Sequence, residues 1–123
     1  LKHMKLKNYG KIVNVSSIAG KHRSIVSGIH YVSSKAALIG YTRQLSYEVG
    51  EYDINVNTVC PSQTRTDMYS ATMTAEKEEE LLKGIPLARI ATVEEQVAPI
   101  MFLCSDSASY IAGAVIDVNG GQI

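Results

Sequence analysis

Apolar and polar positions along this chain follow two periods, one short and β-like, the other helical. The run Lys11-Ile12-Val13-Asn14-Val15-Ser16-Ser17 is rich in β-branched residues and closes on small polar ones, which predicts a buried strand ending in a loop at Ser17. From about His30 to Val49 helix formers dominate, among them Ala36, Ala37, Leu38, Gln44, Leu45 and Glu48. Ile39, Leu45 and Val49 give this segment an apolar stripe, and Gly50 stands where a helix C-terminus would close. Asp53 to Cys60 returns to β-branched residues and stops at Pro61, predicting a second strand. Thr92-Val93-Glu94-Glu95 is a capping box ahead of Val97, Ile100, Met101, Phe102 and Leu103, the start of another strong helix. Between them, Asp67 to Arg89 carries the run Glu76-Lys77-Glu78-Glu79-Glu80 and reads as one or two short solvated helices. Ala114 to Val118 is a third strand between Gly113 and Asn119-Gly120-Gly121.

The order strand, helix, strand, helices, strand implies parallel pairing with right-handed crossovers, an α/β architecture forming part of a doubly wound sheet. Ligands of such sheets gather at the carboxyl ends of the strands, where both Ser17 and the Pro61 turn fall. No repeat or flexible linker divides residues 1–123, so they read as one domain. Ser33, Ser34, Ala36, Ala37 and Gly40 are small enough to let another helix or a sheet approach the longest helix closely.

Composition narrows the partners. With 123 residues, 46% of them hydrophobic, the chain can build one real core, and its zero net charge gives no global pull toward nucleic acid or an anionic membrane. The charge is uneven, since every acid lies at Glu48 or beyond; this reads equally as an anion site or as a cut through a larger protein. Cys60 and Cys104 sit in apolar runs and read as small buried hydrophobes, which points to a reducing, cytoplasmic setting. His3, His22 and His30 have no metal-ligand spacing with either cysteine, and no apolar run reaches the eighteen or so residues of a membrane span. The opening LKHMKLKNYG lacks a signal peptide's apolar core and does not begin with Met, so the chain reads as a piece of a longer protein.

Tyr31 and Lys35 are four residues apart on the predicted helix, so both side chains leave one face roughly 6 Å apart along the axis. A phenol titrates near 10, and bringing it to about 7 takes some 4 kcal/mol of preference for the phenolate. An ammonium at about 4 Å supplies roughly that at an effective dielectric near 20, and only about 1 kcal/mol in open water. The pair works as an acid and base only in a partly water-excluded cleft.

Four segments in order enlarge this picture: NVSSIAG at a strand end, HYVSSKAALIGYTRQLSYEV with its tyrosine fourteen residues after Ser17, INVNTVCPSQTRTDM, and SYIAGAVIDVNGG. Along nearly its entire length the chain resembles the short-chain dehydrogenase/reductase family. The resemblance implies the C-terminal half of a Rossmann fold, with Ser17 polarising the substrate carbonyl or alcohol and Tyr31 giving or taking its proton. Lys35 would lower the tyrosine's pKa and hold the nicotinamide ribose hydroxyls. Pro61 to Met68 matches the family's Pro-Gly-x-x-x-Thr turn, which implies cofactor contacts from Pro61, Ser62, Thr64 and Thr66, with Ser62 standing where the family has glycine. If that position needs positive φ, serine is strained there. Tyr69, just after the turn, reads as packing or as a substrate-pocket wall, and Asn119-Gly120-Gly121 as a structural turn.

The family's glycine-rich phosphate loop, its residue choosing NAD or NADP, and the asparagine of its proton relay have no counterpart in these residues. The implied cofactor is NAD or NADP, and the implied substrate a small carbonyl or alcohol. The segment IPLARIATVEEQVAPIMFLCSDSASYIAGAVIDVNGG is most similar to the 3-oxoacyl-[acyl-carrier-protein] reductases and related sugar or polyol dehydrogenases. A homo-oligomer, dimer or tetramer, is expected, with an open sheet edge if the 123 residues stand alone. The competing expectation is an inactive truncated subunit acting only in oligomerisation.

Overall fold

Three parallel strands, β1 (Gly10–Val15), β2 (Ile54–Pro61) and β3 (Val115–Val118), stand in the order β1-β2-β3. The computed structural model describes residues 1–123. Gly10 of β1 lies beside Ile54 and Val15 beside Val59, while Thr58 lies beside Val115 and Pro61 beside Val118. Five helices surround the sheet: α1 (Lys2–Lys7), α2 (Ile29–Val49), α3 (Asp67–Thr72), α4 (Ala75–Leu82) and α5 (Val93–Cys104). None is long and apolar enough to cross a membrane.

Strand β2 is buried along almost its whole length because both its faces are covered. Ile54 and Val56 point to one face and pack with Leu45 and Val49 of α2; Val59 points to the other and packs with Leu103 of α5 and with Ala108. Period-2 alternation thus sends α2 and α5 to opposite sides, the doubly wound arrangement. The polar residues of β2 are satisfied rather than merely buried. Asn57 Nδ2 donates to the Ile111 carbonyl at 2.8 Å and its Oδ1 accepts from Ala114 N at 2.9 Å; Asn55 Nδ2 reaches the Ser109 and Ile111 carbonyls. These side chains lock the loop that feeds β3. Thr58 Oγ1 donates to Asn14 O, and Asn14 Nδ2 to Thr42 Oγ1, tying β1, β2 and α2 together.

The capping box that opens α5 is present: Thr92 Oγ1 accepts from Glu95 N, and Glu95 Oε2 accepts from Thr92 N at 2.9 Å. Arg89 forks onto the same carboxylate at 2.7 and 2.5 Å. The Arg89 guanidinium, with the Thr92 amide second, holds the Glu95 carboxyl down at about 2. A depressed folded-state pKa adds stability that is complete above the ordinary glutamate range and lost as pH falls toward about 2. Acid unfolding of the wild type, compared with Glu95→Gln, is expected to show a steeper loss between about pH 4.5 and 2 in the wild type. Superimposable slopes would remove Glu95 from the acid response.

Helix α2 ends at Val49 with Gly50 as its C-cap, as expected; the chain then continues into a 3₁₀ turn, Gly50–Tyr52, and Asp53 takes the left-handed position at φ 54°. One expectation changes. Cys60 is fully buried and burial pushes its thiol up, but Cys104 is exposed, because it ends α5 on the side away from the sheet. The small residues Ser33, Ser34, Ala36, Ala37 and Gly40 are exposed on α2, with the backbone at Lys35 and Ala36 met by the turn at Gly20 and open space beside Gly40; the sheet takes the stripe Ile39, Thr42, Leu45, Ser46 and Val49. Strand β1 has a free edge, with Val15 exposed.

Candidate active site

The carboxyl end of β1 is joined to α2 through consecutive serines with different tasks. Ser16 is buried, its N–H donating to Val59 O and its hydroxyl to the Lys35 carbonyl at 2.8 Å. Ser17 caps the 3₁₀ turn Ile18–Gly20, its Oγ accepting from Ala19 N at 3.1 Å. That turn presses onto α2 so closely that a Cβ at Gly20 would lie 2.7 Å from the Lys35 carbonyl carbon. Lys35 Nζ donates to Val15 O at 3.0 Å and stands 5.6 Å from the centre of the Tyr31 ring. The helical spacing expected of Tyr31 and Lys35 is therefore present, with the ammonium anchored at the strand end.

Ser17 and Tyr31 line one cleft of about 390 Å³, together with Ser62, Gln63, Gln122 and the loop from His22 to Ser27. Among the residues singled out from sequence, the fold brings Ser17, Tyr31 and Ser62 together, with Lys35 beside Tyr31. Pro61, Thr64 and Thr66 lie off this cleft. Pro61 ends β2 beside Val118, Thr64 forms a bridge with Ala91 and donates to Ser62 O, and Thr66 caps α3 by accepting from Tyr69 N. Ser62 does not have positive φ, so serine is unstrained there. Its Oγ accepts from Gln63 N and lies 2.9 Å from Oε1 of both Gln63 and Gln122, joining the turn to the chain after β3.

Tyr69 is a packing residue. It is buried in a cluster with Leu81, Ile85 and Ile90, off the cleft, and burial with the hydrogen bond to Glu78 pushes its phenol up to about 12. Glu78, inside the run expected to be a wet face, instead receives Arg65 Nη2 at 2.8 Å and the Tyr69 hydroxyl at 3.0 Å. These two bonds hold its carboxyl below the usual range. Nothing in the spacing of 65, 69 and 78 signalled this, because the three stand on separate segments. Asn119-Gly120-Gly121 is structural: Asn119 Oδ1 accepts from the N–H groups of Gly121 and Gln122, and both glycines have positive φ.

The family model described as enoyl-(acyl carrier protein) reductase matches residues 1–122. The chain belongs to the short-chain dehydrogenase/reductase family. It is 40% identical to the 3-oxoacyl-[acyl-carrier-protein] reductase FabG of Aquifex aeolicus over 99% of this chain and 48% of that protein. It is 44% identical to protein FixR of Bradyrhizobium diazoefficiens over 92% of this chain and 39% of that one. The crystal structure of a 3-oxoacyl-[acyl-carrier protein] reductase from Brucella melitensis superposes with a TM-score of 0.93 at 37% identity, covering 98% of this chain and 44% of that one. The chain thus spans less than half the length of these relatives and corresponds to the C-terminal half of the short-chain dehydrogenase/reductase Rossmann fold.

Proposed function

We propose that the full-length protein is an NAD(P)-dependent oxidoreductase acting on a carbonyl or alcohol bound in the cleft between Ser17 and Tyr31. The observation that carries this reading is the shared cleft: a serine at a strand end lines the same cleft as a tyrosine whose ring stands 5.6 Å from a lysine ammonium. Ser17 Oγ has a lone pair engaged by Ala19 N, which aims the hydroxyl while leaving its proton to donate to a substrate oxygen. Tyr31 holds the proton exchanged with that oxygen, and the Lys35 charge favours its phenolate form. Ser16 fixes the distance between strand end and helix through the Lys35 carbonyl.

The donor set fits one end of a nicotinamide dinucleotide. Lys35 has three N–H donors, of which one goes to Val15 O, so two can hold ribose hydroxyls beside Tyr31. Of the turn from Pro61 to Thr66, Ser62 would contact the same ligand at the cleft, and Pro61, Thr64 and Thr66 where the ligand extends beyond it. The glycine-rich loop that would cradle the pyrophosphate has no counterpart in these residues, since no strand here runs through such a loop into a helix. When bound, NAD(P) supplies or accepts the hydride. Relatives include a reductase crystallised with bound NAD and an NADPH-dependent reductase, so either form is compatible with this reading. A 3-oxoacyl thioester is the first substrate to assay, followed by sugar and polyol ketones, and a homo-oligomer is the expected assembly.

Ser17→Ala in the full-length protein is expected to lower turnover about 10²-fold, the effect of removing one pre-aimed donor, with the fold unchanged by circular dichroism. Nicotinamide absorbance at 340 nm reports the rate. An undiminished rate would take Ser17 out of the reaction.

A further inference from the structure

The run Glu76-Lys77-Glu78-Glu79-Glu80 contains one carboxylate unlike its neighbours. Glu80 pairs with Lys83 one turn on, at the surface. Glu78 uses both oxygens, and each goes to a different segment: Oε1 to Arg65, in the turn between Thr64 and Thr66, and Oε2 to Tyr69 on α3. The Arg65 guanidinium also lies 5.7 Å from the centre of the Tyr69 ring. On its other side the turn is held through the backbone, Arg65 N donating to Ala91 O at 2.9 Å. We infer that Glu78 is a positioning residue, a clasp that holds the Pro61–Thr66 turn, α3 and α4 in one arrangement and so shapes the turn for the dinucleotide.

Two physical features favour a working clasp over a decorative surface pair. The Glu78 side chain is 26% exposed, against 54% for Arg65, so its bond to the buried Tyr69 is the better shielded of the two from solvent screening. Tyr69, the second partner, is anchored in the apolar cluster with Leu81, Ile85 and Ile90, so the carboxylate joins the turn to a packed body rather than to a free side chain. Helix α4 then leads to Gly84 on the rim of the cleft, so its placement also sets that wall.

The inference rests on the reading that this turn contacts the dinucleotide. Its test uses the full-length protein with Glu78→Gln, Arg65→Gln, their double variant, and Tyr69→Phe, which removes one hydroxyl and keeps the packed ring. Binding is measured by nicotinamide fluorescence, and hydrogen exchange of amides 62–72 is followed without cofactor. Each glutamine variant is expected to raise the dinucleotide Kd about three- to tenfold and speed exchange at 62–72, with KM rising more than kcat falls. The double variant is expected to be no worse than the worse single one, because both remove the same bond. A Kd change below about threefold with unchanged exchange, or additive losses, would overturn the clasp. A wild type that binds no dinucleotide would instead refute the oxidoreductase reading, and the exchange data would still decide whether Glu78 holds the turn.

Discussion

Tyr31→Phe is expected to lower turnover of the full-length protein by about 10²–10⁴-fold, while its affinity for the dinucleotide falls far less. The change deletes one hydroxyl and keeps the ring, its place on α2 and its position beside Lys35. Because Tyr31 is 37% exposed at the cleft, no buried cavity opens, so a large loss of rate would report chemistry rather than unfolding. His22 also lines the cleft and has ring nitrogens able to carry a proton. If Tyr31→Phe kept most of its activity and His22→Gln lost it, the proton would belong to His22 and the roles given to Tyr31 and Lys35 would fall together.

Gly20→Ala should damage both fold and rate although it adds a single methyl. At 2.7 Å from the Lys35 carbonyl carbon and 2.8 Å from its oxygen, the new Cβ meets backbone, which cannot swing aside as a side chain can. Either the 3₁₀ turn lifts from α2 or α2 shifts, at a cost of about 1–3 kcal/mol. Both routes move Ser17 relative to Tyr31, and a displacement of about 1 Å can lower a rate on the order of 10²-fold. Thermal denaturation and turnover, measured together, check this. A variant with wild-type melting temperature and rate would show that the turn has slack the structure does not display. Gly40→Ala is the control, since a Cβ there meets nothing within 4 Å.

How much of this was legible beforehand differs by element. The three strands and the capping box of α5 follow from local chemistry: β-branched runs ended by serine, proline or glycine, and a Thr and Glu three apart satisfying each other's backbone donors. Gly50 marked the end of α2 correctly, while the left-handed turn comes three residues later at Asp53, which tolerates that conformation. Cys104 misled because an apolar run on a helix turns one residue in three or four outward. The Glu76 to Glu80 run misled at one position only, where α4 turns Glu78 inward toward Arg65 and Tyr69.

The sequence by itself determined the doubly wound α/β plan, the placing of Ser17 at a strand end and the common face of Tyr31 and Lys35, because each depends on neighbours within a few residues, where period and turn chemistry suffice. The tertiary structure alone decided which residues share the cleft. It gave Ser16 its bond to the Lys35 carbonyl, directed Thr66 into a helix cap, relieved Ser62 of strain, and recruited Glu78. The physical reason is that the shared cleft and the Glu78 bonds depend on contacts between separate segments that meet only in the folded chain, while the roles of Ser62 and Thr66 depend on a backbone path that the residue types leave open.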